Sequence, residues 1–210
     1  SARRNRALAY LALGEFERGW DDYDFCAYGV PQPPDPLPRW DGEPVAGRRI
    51  VLTARQGLGD TVQFVRYARQ LKTLGCYVIL ECPGPLARVL EEVAGIDEIV
   101  VQGDVLPRAD VCVPVMALAR VFRTTLATIP ADVGYLAAAP GRVAVWREKA
   151  GLRKRANEML VGIAWQGNPN HEWDRFRSVS LTQFEPLARI GGVRLVSLQR
   201  GPGIEQIESF

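Results

Sequence analysis

The apolar positions of this chain show two textures. Over residues 1–30 they recur at helical spacing. Ala7, Tyr10, Leu11 and Leu13 form one face, Gly14 interrupts it, and Phe16, Trp20 and Tyr23 form another. This spacing predicts a helical hairpin. From residue 48 the texture changes to short apolar runs separated by amphipathic stretches. Residues 50–54, 77–80, 96–101 and 111–113 read as buried strands. Residues 60–74 read as a helix with Val62, Phe64, Val65, Ala68 and Leu71 inward, and residues 85–93 as a second helix. Such alternation predicts a parallel, doubly wound sheet. It restarts near the end of the chain, with a buried strand at 159–165, a long polar loop at 166–180, a helix at 181–190 and a strand at 193–198.

The pattern divides the chain into a hairpin (1–30), a proline-rich linker (31–47), a first Rossmann-like α/β domain (48–140), a connection (141–158) and the start of a second α/β domain (159–210). The linker holds Pro31, Pro33, Pro34, Pro36 and Pro38, a composition that favours a semi-rigid extended chain, and Trp40 is expected to anchor it. The connection carries the basic run Arg153-Lys154-Arg155, which reads as a solvated face. One β-α-β unit cannot cover both faces of its sheet, so the second domain is expected to be truncated. The lack of an initiator Met suggests that the chain begins inside a longer one.

Composition narrows the classes. With 47% hydrophobic and 24% charged residues, the 210-residue chain has enough apolar material for a real core. A net charge of +2 argues against a dedicated nucleic-acid binder. No apolar run reaches the ~18–20 residues of a membrane helix, and the basic N-terminus lacks the apolar segment of a signal peptide. The four cysteines, Cys26, Cys76, Cys82 and Cys112, form no C-x-x-C pair and have one His for company, so no metal site is expected. Cys76, Cys82 and Cys112 lie in or beside apolar runs and read as buried free thiols of a cytoplasmic protein.

Two loops stand out. The first follows the first strand of the first α/β domain. Gly57 and Gly59 suit a tight turn and a close ligand approach, and a helix start behind them favours anions. No Gly-Lys-Ser/Thr follows, so this is not a Walker loop. The third glycine of a dinucleotide fingerprint falls at Val62, although Glu81 stands where that fold has its ribose-binding acid. Asp60 reads either as a helix cap or as a carboxylate presented at the ligand-binding edge of the sheet. The second loop, 166–180, follows the first strand of its own domain. Arg175 and Arg177 suit bidentate contact with a diphosphate, Ser178 and Ser180 suit capping or phosphate contact, and His171 is a candidate base or donor.

Several motifs together resemble a known family. Gly19-x3-Tyr23 ending at Pro31 is similar to half of a tetratricopeptide repeat. Pro-x-Trp-x-Gly-Glu-Pro (Pro38 to Pro44), Gln-Gly-Leu-Gly-Asp-Thr-x-Gln-Phe (Gln56 to Phe64), Trp-x-Gly-Asn-Pro-x-His (Trp165 to His171) and Asp-Arg-x-Arg-Ser (Asp174 to Ser178) complete the set. The chain thereby resembles bacterial tetratricopeptide proteins with a glycosyltransferase-like half, similar to the heptosyltransferases and, more distantly, to O-linked N-acetylglucosamine transferases. The resemblance implies a GT-B fold of two Rossmann-like domains. It implies metal-independent transfer of a sugar from a nucleotide-sugar co-substrate to a protein or glycan acceptor, with no other cofactor. It makes Asp60 the catalytic base, assigns the donor diphosphate to Arg177, Arg175, Ser178, Asn168 and His171, and gives Gly57 and Gly59 a positioning role. The hairpin would bind protein partners. The family's later donor-binding segment would lie beyond Phe210, so the fragment itself is expected to be inactive. The rival expectation is a non-catalytic repeat scaffold whose α/β half only binds.

Overall fold

The structure, a computed structural model, describes residues 2–28, 37–131, 134–152 and 155–210. Most of the proline-rich stretch (Pro31 to Pro36), and Arg153 and Lys154 of the basic run, lie outside the described residues. The chain divides into two units, Ser1–Ala138 and Ala139–Phe210.

The first unit is organised around β1 (Arg49–Thr53), whose residues 50–53 are all buried. β1 pairs in parallel with β2 (Tyr77–Cys82) on one side and β4 (Val111–Pro114) on the other. β3 (Glu98–Val101) joins the outer edge of β2, giving the order β3-β2-β1-β4. At the far edge the chain before Trp40 runs alongside β4. Cys112 N–H donates to Pro38 O at 2.9 Å, and Trp40 N–H donates to Cys112 O at 2.8 Å. Trp40 is buried in the main core, its indole N–H donating to Glu43 O at 2.7 Å.

Side chains alternate across the sheet. Ile50, Leu52, Val78, Leu80, Val111 and Val113 face the large core, together with α3 (Leu58–Phe64), α4 (Ala68–Thr73), α5 (Gly84–Leu90) and α6 (Leu118–Val121). Val51, Ile79, Val100 and Cys112 form a second, smaller cluster with Leu37, Tyr77, Leu106 and Ala109. No described helix contributes to that second cluster, so the expected doubly wound sheet is corrected to one with helices on a single face. The steps β1 to β2 to β3 run in one direction, and right-handed crossovers then place their helices on the same face. The step from β3 to β4, which would cover the other face, is a loop at 102–110.

The predicted helix at 60–74 is interrupted. α3 passes through a 3-10 turn (Val65–Tyr67) into α4. The aromatic rings at that turn explain its burial: Phe64, Tyr67 and Phe122 stack in sequence at 6.1 Å spacing. Tyr67 donates to or accepts from Thr124 Oγ1 at 2.9 Å, and burial pushes its phenol pKa up.

A helical hairpin, α1 (Ala2–Ala12) and α2 (Phe16–Tyr28), closes on itself and on the sheet. Trp20 meets Phe64 edge-on at 5.5 Å, and Asp24 pairs with Arg39 at 2.5 Å and with Arg120 at 3.1 Å. Within the hairpin, Asp22 of α2 accepts from Arg6 (2.6 and 2.9 Å) and from Arg3 (2.8 Å), both on α1. Cys76, Cys82 and Cys112 are buried, as the sequence suggested, and burial pushes the Cys76 and Cys82 thiols up, away from reactive thiolate.

The second unit begins with α7 (Pro140–Lys149), none of whose residues is buried. Its sheet pairs β5 (Met159–Ile163) with β6 (Val193–Ser197) in parallel. Its core is small: Ile163, Trp165 and Leu181, flanked by Val161, Phe184 and Leu195. The expectation that β5 is a fully buried strand is corrected. Only Ile163 is buried, and Met159 is 63% exposed. Val161 and Ile163 face this one cluster, while Gly162 and the following Ala164, on the other side of the strand, are exposed. The predicted helix at 181–190 is a 3-10 turn (Leu181–Phe184) leading into the single turn of α8 (Glu185–Ala188). No described helix in either unit is long and apolar enough to cross a membrane.

The Asp22 bridge makes the hairpin pH-sensitive. Hydrogen bonding to Arg6, seconded by Arg3, holds the Asp22 carboxyl down to about 2. A carboxyl lowered in the folded state stabilises fully above its unfolded value of ~3.9 and loses that contribution as pH falls. The difference in urea midpoint between the parent and Asp22→Asn should be full at pH 5 and shrink steadily toward pH 2. A difference that does not change with pH would show that the carboxylate charge is not what joins α1 to α2.

Candidate functional site

Open α/β sheets bind ligands outside the carboxyl ends of their strands, where strand order reverses. In the first unit that place lies beyond β1 and β4. β1 ends at Thr53, level with Glu81 of β2 and Pro114 of β4. Ala54 closes the edge: its N–H donates to Glu81 O at 3.0 Å and its carbonyl accepts from Gln102 Nε2 at 2.8 Å. Arg55-Gln56-Gly57 then crosses to α3.

Asp60 is the third residue of α3, and its Oδ2 accepts the Gly57 N–H at 3.1 Å. Thr61 adds two bonds to Gly57 O, from its N–H (3.1 Å) and its hydroxyl (3.2 Å). The carboxylate therefore caps the helix it belongs to, and an anion from the chain itself occupies the Gly57 amide. Neither glycine has a positive φ. Gly57 is extended (φ −62°, ψ 160°), and Gly59 lies in α3 with nothing near a Cβ position. The tight turn expected of the pair is thus made without glycine's special conformations. Gly57 instead leaves room for the carboxylate, since a Cβ there would lie 3.2 Å from Asp60 Oδ2. Glu81 stands on the same edge, at the end of β2.

A cavity of about 200 Å³ opens beside this loop, lined by Arg4, Tyr23, Cys26, Ala27 and Gln56. Burial, and then the negative charge of Asp60, raises the Tyr23 phenol pKa. Sequence reasoning placed Tyr23 on a core face and missed this wall. Its residues come from α1, α2 and the glycine loop, so no linear motif connects them.

The loop after β5 is a different object. Residues 166–180 are held by bonds running inward. Gln199 Oε1 accepts both Trp165 N–H (3.0 Å) and Gln166 N–H (3.1 Å), while its Nε2 donates to Gln166 O (2.9 Å) and Pro202 O (2.7 Å). Trp165 Nε1 donates to Gly203 O at 3.0 Å. Gln206 takes the Leu181 N–H at 2.9 Å and reaches Gln166 Oε1 at 3.2 Å. Gln199 and Gln206 were not foreseen, because a glutamine 30–40 residues away carries no sequence signal of the loop it supports.

Within the loop, Gly167 N–H donates to Ser178 Oγ at 2.9 Å, and Arg177 Nε donates to the buried Asp174 Oδ1 at 3.2 Å. A Cβ on Gly167 would come within 2.6 Å of Asp174 Oδ1 and 3.1 Å of Arg177 Nη2. Glycine is required here by close approach. Gly167, Asp174, Arg177 and Ser178 thus form one group. Asn168 and His171 form a turn beside it: Asn168 Oδ1 accepts Asn170 N–H (3.0 Å), and Asn168 O accepts His171 N–H (2.9 Å). His171 Nδ1 accepts Trp173 N–H at 3.1 Å, which leaves the proton of the neutral ring on Nε2. Arg175 and Arg177 share no partner: Arg177 is tied to Asp174, and the Arg175 guanidinium lies 4.5 Å over the Phe176 ring.

No family model matches the chain, and no solved structure matches it. Among curated proteins it is similar to Protein FlbA of Caulobacter vibrioides, 29% identical over 225 residues, covering 96% of this chain and 37% of that protein. The chain thus spans little more than a third of the length of that relative. These findings correct the resemblance to tetratricopeptide proteins with a glycosyltransferase-like half. Neither a repeat model nor a transferase model matches any part of the chain, and the relative found carries neither description. The motifs misled because Gly57, Asp60 and Gly167 each have a local structural duty.

The double character of Asp60 can be resolved by unfolding. Asp60→Asn keeps an oxygen for the Gly57 N–H and should leave the urea midpoint near the parent's. Asp60→Ala removes the cap and should cost ~1 kcal/mol. Equal stability of Asp60→Ala and the parent would show that the capping bond contributes nothing.

Proposed function

We propose that the chain is part of an enzyme that transfers a sugar from a nucleotide-sugar donor to a protein or glycan acceptor. The observation that carries this reading is the group at the carboxyl end of β5: Arg177 on its Asp174 anchor, beside the Gly167 amide and the Ser178 hydroxyl. A planar guanidinium beside small polar groups suits the paired oxygens of a diphosphate. The fold that goes with it is two Rossmann-like lobes of GT-B type, in a cytoplasmic setting.

In this reading the acceptor hydroxyl attacks the anomeric carbon of the donor. The bond from that carbon to the diphosphate oxygen breaks, the hydroxyl proton passes to a carboxylate base, and the charge left on the diphosphate is met by Arg177. Asp60 is half-buried at a ligand-binding edge, beside a cavity walled by hydroxyl and amide groups, and this supports its role as base. Its bond to Gly57 orients the carboxylate through Oδ2. No metal enters the reaction.

Titration calorimetry with UDP, GDP, ADP and CDP tests the donor half of this reading. One of the four should bind, and Arg177→Ala should weaken it by about 1.5–3 kcal/mol, the scale of a charged hydrogen bond. An unchanged dissociation constant would remove Arg177 from the site. Failure of all four to bind the parent would overturn the transferase reading in favour of a non-catalytic binding module.

A further inference from the structure

We infer that Trp173 and Phe176 form a stacking platform for the planar base of a nucleotide whose phosphates meet Arg177. The inference rests on the diphosphate reading of the same loop and adds a base subsite to it. Trp173 and Phe176 are 58% and 66% exposed, with ring centroids 5.6 Å apart and planes tilted by 34°. They stand three residues apart around a 3-10 turn (Asp174–Phe176), a spacing that brings side chains onto one side. Two large aromatic rings side by side in water forgo much of the burial that would stabilise them.

The backbone beneath them is fixed. Trp173 N–H donates to His171 Nδ1, Asp174 N–H to His171 O at 2.9 Å, and Phe176 N–H to Trp173 O at 3.0 Å. The Asp174 side chain is buried and bonded to Arg177. The rings are therefore presented on a preorganised turn, and a ligand need not order the backbone to use them.

The surroundings select the occupant. Arg175 lies over the Phe176 ring, and Arg177, paired with Asp174, is the next residue in the chain. Flat rings with adjoining guanidinium groups suit a ligand that is itself flat at one end and anionic at the other. A nucleotide has that form. A sugar phosphate lacks the flat ring, and a plain aromatic side chain lacks the charge.

The test is calorimetry on the 210-residue chain with UDP, GDP, ADP, CDP, the four parent nucleosides and inorganic pyrophosphate. The inference predicts that one nucleoside diphosphate binds at least about tenfold tighter than pyrophosphate, the scale of one base on one aromatic ring. Trp173→Ala should remove that advantage and leave pyrophosphate binding unchanged, while Trp173→Phe should keep most of it. Circular dichroism of each variant checks the fold, which the exposure of Trp173 leaves free to tolerate the change. Equal affinity for pyrophosphate and every nucleoside diphosphate would overturn the platform and leave the diphosphate reading standing. A nucleoside that binds only when Trp173 is present, with no binding of pyrophosphate, would support the platform and overturn the diphosphate reading. Loss of pyrophosphate binding in Trp173→Ala would also overturn the inference, because it would make Trp173 a support of the loop. No binding by any of these compounds would overturn both.

Discussion

Parallel pairing of β1 on both sides is the constraint from which the first unit follows. A strand whose neighbours both run its own way has all three carboxyl ends on one edge of the sheet. Thr53, Glu81 and Pro114 stand level there by register alone. Burial of residues 50–53 makes that register hard to shift, because a slip of one residue would exchange the faces of Ile50, Val51 and Leu52. The glycine loop, Asp60 and the cavity at Tyr23 all lie beside this edge. The second unit repeats the device on a smaller scale, with β5 and β6 placing the 166–180 loop at the equivalent end.

The two strand-end loops have taken different courses. In the first, the chain's own carboxylate occupies the Gly57 amide, so the loop is self-satisfied, and Gln56 beside it lines a cavity. In the second, the acid is buried and holds an arginine outward, and the adjoining positions are a hydroxyl, a close-packed glycine and exposed aromatic rings. One loop holds a helix-capping carboxylate and the other a guanidinium paired with a buried acid.

Much of the fold was legible from periodicity. The six strands among the described residues fall within three residues of their expected ends, because short apolar runs bounded by polar or turn residues have few other uses. What periodicity could not supply was which face a crossover covers. The 102–110 segment reads simply as a loop, and only the strand order shows that a helix would be needed there to wind the sheet twice. The exposure along β5 escaped for the same reason: Ile163 and Ala164 look alike in a hydrophobic run, but only Ile163 lies on the side of the two-stranded sheet that has a core to face. In the candidate site, residues within a motif were found and residues between motifs were not. Asp60, Arg177 and Ser178 sit in short conspicuous loops. Tyr23, Gln199 and Gln206 act across 25–40 residues of chain through single side chains, and Trp173 was passed over because an aromatic in a loop reads as packing until its exposure is known.

The central claim is that the 166–180 loop, and not the glycine loop, takes a diphosphate. Hydrogen–deuterium exchange of the chain with and without millimolar pyrophosphate tests it most directly, since it reports where the ligand acts as well as whether it binds. The account predicts slower exchange in peptides covering 166–180 and no change in those covering 54–61. Slowing confined to 54–61, or no slowing anywhere, would contradict it.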